Sequence, residues 1–387
     1  MTEPTIRVVH STPVWLSPTM TWLHNQVRHL PEAVESHVVC EKRLGAERFP
    51  VKHLHSLEDV APTRRFWERA TRRVGLRQHL PFLVQHCANA DILHSHFGNV
   101  AWQNLGAANS SGAKHVVTFY GVDVVGLPRR DPRWRPRYRE LFSSVEAILC
   151  EGPHMAQCIV DLGAPTARVH VHHLGVEVDR IPFEPRQWAP GTPLRILLAG
   201  TFREKKGLPY ALDAIGLLRR RRPRFEVDVT IIGDKTEEPA SHAEATRIHA
   251  TIAAHGLRPR MLGFQSHTRL FEEAYTHHLF VSPSVHASDG DTEGGAPVTL
   301  IEMAASGMPV VSTTHCDIPN VIEHGKSGFL APERDAEALA DQIERWIDAP
   351  EHWTDFVAAA RSRVESAFDA VKQGARLADL YRAIAER

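Results

Sequence analysis

The chain has 387 residues, of which 43% are apolar and 24% charged, and its net charge is -1. That length exceeds the usual size of a single hydrophobic core, so two domains are expected, and the near-zero charge excludes a global attraction to nucleic acid or membrane. Five scattered cysteines without a CxxC pair indicate reduced thiols. We expect a cytoplasmic protein with neither a signal peptide nor a membrane span.

The first half of the chain alternates short apolar strands with helical stretches. Strands are predicted at 5–10, 36–40, 91–94, 114–120, 145–150 and 168–172, and helices at about 22–30 and 78–89. This alternation is typical of an α/β fold with a parallel sheet. Because ligands bind at the carboxyl ends of parallel strands, the functional segments are expected at 17–19, 94–99, 120–123, 151–152 and 175–177.

Two arginine-rich stretches, 63–77 and 129–140, also contain tryptophan. In the first, Phe66, Ala70 and Val74 fall on one helical face with arginines beside them. One interpretation is peripheral contact with the anionic inner face of a membrane or with a lipid-phosphate acceptor. The alternative is a solvated, arginine-rich helix that packs through one apolar stripe.

The segment 180–193 carries four prolines and little periodicity, which indicates an interdomain linker. The alternating pattern then resumes, with strands at 194–199, 227–232 and 261–264 and helices at about 208–220, 243–255, 336–346 and 353 onward. The predicted organisation is an N-terminal domain at 1–183, a linker at 184–193 and a C-terminal domain at 194–365. A last helix, at about 366–387, is expected to pack back on the first domain.

The segment 281–330 predicts a strand, an acidic glycine-rich loop, a helix and another strand, which make one βαβ unit. The helix is predicted to begin at Pro297 and to end near Gly307. Its N-terminus suits phosphate, the loop glycines permit close approach of a ligand, and Glu302 can accept hydrogen bonds from a ribose diol. The alternative is an ordinary turn followed by a solvated glutamate.

A second loop, GTFREKKG at 200–207, follows a predicted strand of the same sheet. Its cations Arg203, Lys205 and Lys206 can hold a diphosphate and neutralise the charge that develops as it leaves. Alone, the loop is equally typical of a charged surface turn. Together, the two loops favour a phosphate site.

These segments resemble the family-4 glycosyltransferases of the GT-B fold, and more narrowly the group that builds exopolysaccharides such as colanic acid. The matching segments are DGDTEGGAPVTLIEMAASGMPVVST, CDIPNVI, HGKSGFL, GTFREKKG, HSHFG, TFYGVD and HLGVEVD. They run from about residue 94 to residue 330. The resemblance implies a GT-B architecture, in which two Rossmann-like α/β domains with parallel sheets face a central cleft.

The resemblance also implies the reaction. It is retaining transfer of a sugar from a nucleotide-sugar donor, most often a UDP- or GDP-sugar, without a metal or other cofactor. The acceptor is a saccharide, a lipid-linked saccharide or a small molecule, and nucleic acid is no partner. The setting is polysaccharide or glycoconjugate biosynthesis.

Residue roles are implied in the same way. The predicted catalytic residues are Glu293 near the donor sugar, Lys206 at the phosphate, and Arg203. Donor binding is assigned to Glu302 at the ribose and to the loop and helix residues Gly294, Gly295, Ala296, Val298, Thr299 and Thr201. The acceptor or sugar side is assigned to Ser17, Thr19, His96, Tyr120 and Asp123.

The sequence departs from the family pattern at several of these positions. Eight residues separate Glu293 from Glu302, where the family has seven, and Thr201 stands where the family has arginine. Tyr120 replaces a histidine, 16–19 replace a Gly-Gly loop, and Asn320 replaces a glutamate. Arg203 is a substitute for the missing arginine in this interpretation.

Three other functions remain open from the sequence. The His94-Ser95-His96 motif, with the histidine pairs at 172–173 and 277–278, permits a metal hydrolase. A nucleotide-sugar epimerase would use the same fold and ligand with different chemistry. A non-catalytic partner subunit that binds nucleotide sugar is the third alternative.

Overall fold

The computed structural model describes residues 5–16, 20–73 and 81–387. The chain divides into two compact units, the first made of Met1–Glu177 with Phe368–Arg387 and the second of Val178–Ala367. None of the helices in the described ranges is long and apolar enough to cross a bilayer. By this division into two units, the segment predicted as a linker, 184–193, falls inside the second unit.

The strands and helices are numbered in chain order. The strands are β1 Ile6–Trp15, β2 Val34–Arg43, β3 Leu54–Ser56, β4 Ile92–His96, β5 Lys114–Thr118, β6 Ala147–Cys150, β7 Val169–Val171, β8 Leu194–Ala199, β9 Val227–Ile232, β10 Arg260–Met261, β11 Leu279–Ser282, β12 Val310–Thr313 and β13 Phe329–Ala331. The helices are α1 Thr21–Arg28, α2 Pro62–Arg73, α3 Pro81–Cys87, α4 Gly98–Ser111, α5 Leu127–Arg130, α6 Trp134–Ser144, α7 Pro153–Asp161, α8 Leu208–Arg221, α9 Pro239–Ala254, α10 His267–Ala274, α11 Val298–Ala305, α12 Ile318–Val321, α13 Ala336–Asp348, α14 Trp353–Ala367 and α15 Ala370–Ala385.

Each unit is built on one parallel sheet. In the described residues, the first sheet has the order β3-β2-β1-β4-β5-β6-β7 and the second the order β10-β9-β8-β11-β12-β13. Every strand pair within these sheets is parallel. The predicted α/β class is therefore confirmed, because parallel strands joined by helices bury both faces of a sheet.

The core of the first unit includes the last helix of the chain. Leu377, Tyr381 and Ile384 on α15 are buried against Val8 and Ile92 of the central strands. Their helical spacing of four and three residues gives α15 one apolar stripe, which explains why a terminal helix packs on a sheet formed at the start of the chain. Close approach also needs Gly374, since a Cβ there would lie 2.0 Å from the His29 carbonyl oxygen.

The predicted linker packs tightly on the second unit. The Arg186 guanidinium is buried, donates hydrogen bonds to the Ser306 and Ala274 carbonyl oxygens, and lies 4.4 Å from the centre of the Tyr275 ring. Its backbone N–H donates to the Gly307 carbonyl at 3.0 Å. These bonds fix the segment 184–193 against the C-terminal end of α11.

Candidate active site

The cationic loop is shaped by one glycine. After β8, residues Glu204–Lys206 form a single 3-10 turn that ends at Gly207, whose φ is 64°. A Cβ at Gly207 would lie 1.9 Å from the carbonyl oxygen of Pro283, just beyond β11. Only glycine therefore allows this turn to lie against the end of β11, and the turn carries Lys205 and Lys206 to the acidic loop.

Two of the three predicted catalytic residues, Lys206 and Glu293, form an ion pair. The Lys206 Nζ lies 2.9 Å from Glu293 Oε2, and the Ser284 hydroxyl donates to Glu293 Oε1 at 3.0 Å. The Glu293 side chain is only 6% exposed. Burial works to raise its pKa, but the charges of Lys206 and Lys205 outweigh it and lower the pKa to about 2. Glu293 is therefore a carboxylate throughout the neutral range.

The other two cations hold the acidic loop. Lys205 Nζ lies 3.2 Å from Asp291 Oδ1 and donates to the Thr292 carbonyl oxygen at 2.9 Å. Arg203 lies 3.5 Å from Asp291 Oδ2 and also pairs with Glu238. Each cation of the loop is thus matched by a carboxylate, so an incoming anion must compete with these carboxylates for Arg203 and Lys206.

The helix after the loop begins one residue later than predicted. Pro297 has ψ 128°, so it is the N-cap residue rather than the first helical residue, and α11 starts at Val298. No side chain of the described residues caps α11. The first amides of a helix have no partner within it, so the N–H groups of Val298 and Thr299 are able to donate to an anion, and their predicted role in donor binding stays a prediction. The end of the helix matches the prediction, because Gly307 has φ 82°.

The glycines of the loop have their own local bonds. Gly294 has φ 80°, and its N–H donates to the Thr292 hydroxyl at 3.1 Å. The Gly295 carbonyl accepts from the Asp317 N–H at 3.2 Å. The Gly294 amide thus makes a bond inside the loop, and the donor-binding roles assigned to Gly294 and Ala296 stay predictions.

The predicted ribose-binding glutamate has a partner that sequence analysis missed. Glu302 Oε1 lies 2.8 Å from His267 Nε2, with the histidine ring half exposed on α10 and the glutamate nearly buried. His267 is 35 residues away and belongs to no motif identified above, so no local signal marks it. The pair places an imidazole beside the carboxylate that is assigned to the ribose.

A buried histidine holds the backbone of Glu293. The Glu293 N–H donates to His315 Nε2 at 3.1 Å, while His315 Nδ1 lies 2.8 Å from Glu333 Oε1. Nε2 must therefore be the unprotonated nitrogen, and Nδ1 carries the proton that is donated to Glu333. Burial works to raise the pKa of Glu333, but hydrogen bonds from His286 and His315 outweigh it and hold the pKa far below its usual range.

Sequence analysis missed both His315 and Glu333. The available signal was the position of His315, the second residue after β12, at the carboxyl end of a parallel strand. Glu333 follows β13 in the same way. Their contact joins two neighbouring strand ends and fixes the loop between β11 and α11.

In the first unit, three predicted sugar-side residues form one buried network. The Tyr120 hydroxyl lies 2.6 Å from His96 Nδ1, and the Tyr120 N–H donates to Asp123 Oδ1 at 3.0 Å. The other oxygen of Asp123 accepts from the Gly98 N–H at 2.7 Å. Burial raises the pKa of Asp123 to about 6, against the lowering effect of these backbone bonds. The network includes Gln26, which accepts from the Tyr120 hydroxyl at 3.1 Å.

Two further predicted residues, Ser17 and Thr19, lie outside the described residues. Thr201 is partly exposed, and its carbonyl oxygen accepts from the Arg203 N–H at 2.7 Å. The structure thus places the residues predicted to bind the donor at one end of the second sheet and joins His96, Tyr120 and Asp123 at one end of the first.

The histidines that permitted a metal hydrolase have partners in the protein. His94 Nδ1 lies 2.5 Å from the Tyr381 hydroxyl and its Nε2 2.6 Å from the Thr118 hydroxyl. His96 Nε2 lies 3.2 Å from His10 Nδ1. Burial lowers the pKa of all three imidazoles, so they are neutral. The nitrogens of His10, His94 and His96 are close enough to bind one ion. The hydrogen bonds of His94 and His96, however, are those expected of buried core histidines without a metal.

Comparison with known proteins decides the family. Residues 21–180 match the family described as Glycosyltransferase Family 4, and residues 193–349 match Glycosyl transferases group 1. The chain is 32% identical to the amylovoran biosynthesis glycosyltransferase AmsK of Erwinia amylovora, over 72% of this chain and 67% of that one. It is also 32% identical to the putative colanic acid biosynthesis glycosyltransferase WcaL of Escherichia coli K12, over 76% and 71%.

The chain belongs to the family-4 glycosyltransferases. Solved structures agree on the fold of this glycosyltransferase. The UDP complex of Anabaena HepE aligns over 98% of this chain and 100% of that one, with a TM-score of 0.75 and 14% identity. The sucrose-phosphate synthase of Thermosynechococcus elongatus aligns over 98% and 99%, with a TM-score of 0.72 and 16% identity. The predicted family and the predicted GT-B fold are both confirmed.

Proposed function

We propose that this glycosyltransferase moves a sugar from a UDP-sugar to a saccharide or lipid-linked saccharide in exopolysaccharide synthesis, with retention of configuration and without a metal. The observation that carries the proposal is the Lys206–Glu293 pair, at 2.9 Å, beside the uncapped N-terminus of α11. A cation, free helix amides and a buried carboxylate at neighbouring strand ends suit a charged diphosphate attached to a sugar.

The donor class rests on the similar structures. Anabaena HepE has been solved with UDP, with UDP and glucose, and with UDP-glucose, and each aligns over 98% of this chain. AmsK and WcaL are named for amylovoran and colanic acid biosynthesis. We infer a UDP-hexose as donor and a growing exopolysaccharide unit as acceptor, and a GDP-sugar is the alternative to test.

The proposed chemistry follows from the charges. The bond between the anomeric carbon and the phosphate oxygen breaks, and a bond from that carbon to the acceptor oxygen forms on the same face. The acceptor proton passes to the departing phosphate oxygen, so no separate general base is needed. Lys206, Arg203 and the amides of α11 stabilise the departing diphosphate. Glu302 accepts hydrogen bonds from the ribose hydroxyls, and His267 lies beside Glu302.

Glu293 acts on the sugar side in this proposal. Its low pKa keeps it anionic, so it can stabilise the positive charge that develops on the ring. When the diphosphate engages Lys206, the Ser284 hydroxyl still donates to Glu293. The His315 bond to its backbone keeps the carboxylate in place during this exchange of partners.

Metal independence is proposed because the protein supplies the cations. Lys206 and Arg203 lie on one short loop and face carboxylates that a diphosphate can replace. A positive charge held by the fold needs no reorganisation as the leaving group departs. A divalent ion would duplicate this charge.

A lipid-linked acceptor agrees with one exposed surface of the first unit. Phe66 and Trp67 on α2 are each 66% exposed, next to Arg64 and Arg69. Exposed aromatic rings beside arginines suit the interface of an anionic bilayer. The second arginine-rich stretch differs, because Trp134 is buried and Arg137 stacks on it with 4.8 Å between the guanidinium carbon and the ring centre. We propose peripheral membrane contact through α2 alone.

The function is tested with a panel of UDP-, GDP-, ADP- and dTDP-sugars in EDTA. We expect a rise in melting temperature with one UDP-sugar, and a product whose anomeric configuration, determined by NMR, equals that of the donor. An inverted product would refute retention, and formation of an epimer without acceptor would refute transfer.

Membrane contact is tested by sedimentation with vesicles that contain anionic phospholipid. We expect the protein to sediment with them, and the double variant Phe66→Ser/Trp67→Ser to stay in the supernatant with unchanged donor binding. A control variant, Val371→Ser, changes an exposed apolar residue on α15 and should bind vesicles normally. Equal sedimentation of all three proteins would refute the proposal.

A further inference from the structure

A second cluster of histidines lies at the edge of the first sheet, apart from every residue assigned to glycosyl transfer. Glu35 and His37 alternate along β2, and His53 and His55 alternate along the segment that becomes β3. Val39 pairs with His55 in the parallel register, and the His53 carbonyl accepts from the Val38 N–H at 2.8 Å. Neighbouring strands are about 4.8 Å apart, so these four side chains meet on one face.

The polar atoms of three of these side chains converge. Glu35 Oε1 lies 3.0 Å from His37 Nε2 and 3.8 Å from His53 Nε2, and all three atoms lie within 4.8 Å of one another. Ligands of a tetrahedral zinc ion, with bonds of about 2.0–2.1 Å, lie about 3.3 Å apart. The two distances from Glu35 Oε1, 3.0 and 3.8 Å, lie on either side of that value, and the two histidine nitrogens lie within 4.8 Å of each other.

We propose that Glu35, His37 and His53 bind one divalent cation of the zinc class at this sheet edge. Two imidazoles and one carboxylate favour Zn²⁺, Co²⁺ or Ni²⁺ over Mg²⁺ and Ca²⁺, which prefer oxygen ligands. Three protein ligands leave the fourth position to water.

The surroundings of His37 support this assignment. His37 Nδ1 lies 3.1 Å from His55 Nε2, and the His55 ring stacks on His86 of α3 with 4.2 Å between ring centres. A histidine that binds a metal through one nitrogen commonly donates its other N–H to a fixed acceptor, which orients the ring. His55 is in that position, and His86 holds His55.

The partial exposure of this cluster lets an ion enter from solvent and lets the His53 ring rotate. The side chains of His37, His53 and Glu35 are 9%, 31% and 41% exposed, so the cluster is fixed on the inside and open to water. The rings of His37 and His53 are nearly parallel, 10° apart. The Nε2 lone pairs of His37 and His53 can therefore point at one ion only if the His53 ring tilts. The partial exposure of the His53 side chain permits this tilt.

The cation would join two segments that otherwise depend on a short edge pairing. β3 has three residues, and the loop 44–53 separates it from β2. Arg7 lies opposite Glu35 in the register of β1 and β2, and its charge opposes a cation. The two imidazoles must therefore supply most of the affinity. The proposed role is to stabilise the sheet edge, which is separate from the metal-free transfer proposed above.

The test uses the full chain without a histidine tag, stripped with EDTA and titrated with ZnCl₂ and CoCl₂ by calorimetry and visible absorption. We expect one equivalent of Zn²⁺ to be bound with a rise in melting temperature, and Co²⁺ to give the intense bands of tetrahedral coordination. His53→Ala and Glu35→Gln should each weaken that equivalent by at least about tenfold, and His55→Ala should do so through loss of orientation.

The control is His249→Ala, which removes an exposed histidine from α9. It should bind as tightly as the parent chain. Because His53 and Glu35 are partly exposed, their variants should fold, which circular dichroism can verify. Absence of stoichiometric binding, or equal affinity of the His53→Ala, Glu35→Gln and His249→Ala variants, would overturn the proposal.

Discussion

At the scale of single residues, the proposed donor chemistry depends on how the negative charge of the buried Glu293 is balanced. Lys206 neutralises it, Ser284 donates to it, and His315 holds its backbone. A buried carboxylate without these partners would take up a proton or disrupt the fold. Its low pKa shows that the positive charges outweigh burial. The same lysine can therefore serve the loop before the donor binds and the diphosphate afterwards.

Replacement of the lysine gives the first prediction. Lys206→Ala should lower kcat for UDP release by about 10²–10³, the usual effect of losing one group that stabilises a developing charge. Lys326→Ala, at a side chain that is 67% exposed and paired with Glu323, is the control and should leave kcat unchanged. Equal rates for Lys206→Ala and the parent enzyme would mean that Lys206 does not touch the leaving group.

The second prediction concerns His315, which accepts a hydrogen bond from the Glu293 N–H. His315→Ala removes the acceptor for the Glu293 N–H and leaves a buried donor unsatisfied, so kcat should fall by roughly tenfold or more, with a smaller change in donor KM. His286→Ala is a matched control, because it also loses a bond to Glu333 but has no contact with the Glu293 amide in the described hydrogen bonds. Loss of activity in His286→Ala alone would contradict the assignment.

Asp123 gives a prediction about pH. Burial raises its pKa from 3.8 to about 6, so the folded chain holds a proton that the unfolded chain releases above pH 4. Stability from this group is therefore greatest well below pH 4 and falls by about 3 kcal/mol in total as the pH rises past 4 and then above 6. In Asp123→Asn this contribution should vanish, so the stability deficit of the variant should shrink as pH rises. Denaturant unfolding at pH 4 and pH 7 measures it, and a constant deficit would be inconsistent with the raised pKa.

At the scale of elements, two strand ends are joined by one glycine turn. Gly207 combines a left-handed backbone with contact to the Pro283 carbonyl, so the Glu204–Lys206 turn can lie directly against the end of β11. The turn carries two lysines, of which Lys205 binds the acidic loop and Lys206 pairs with Glu293 and is proposed to bind the donor. Glycine is required at this position, because no other residue type allows both the left-handed backbone and the contact with the Pro283 carbonyl.

Gly207→Ala should therefore destabilise the second unit by more than about 2 kcal/mol and weaken donor binding. Gly256→Ala separates strain from crowding, since Gly256 has a similar φ of 57° but open space around its Cβ position. Its cost should stay near 1 kcal/mol, the strain alone. Thermal melts of both variants, with and without UDP, make the comparison. Equal losses would show that contact with Pro283 is unimportant.

Much of the donor-side element could be predicted, because its signals are local. The strand, loop and helix of β11–α11 follow from apolar runs, glycines and Gly307. The exception is Pro297, which is an N-cap because its ψ is extended. His315, Glu333 and His267 were missed because their contacts join positions 18 to 35 residues apart. β3 was missed because three residues at a sheet edge give no periodic pattern.

At the scale of the whole molecule, the alternation of strands and helices predicts two parallel sheets, and the matched families confirm the class of enzyme. The sequence could not show that 184–193 packs on the second unit, since proline content alone resembles a free linker. The helical apolar stripe of α15, by contrast, agrees with a place on the first sheet. The predicted acceptor-side residues stay predictions, and two of them, Ser17 and Thr19, lie outside the described residues.

The central claim is that protein cations, and no metal, drive departure of the diphosphate. The most direct measurement is the rate of UDP release from the UDP-sugar that raises the melting temperature, with acceptor present, after removal of metals and in excess EDTA. The account predicts the same rate as with Mg²⁺ or Mn²⁺ added, because Lys206 and Arg203 supply the charge. A rate that vanishes in EDTA and returns with a divalent ion would contradict it.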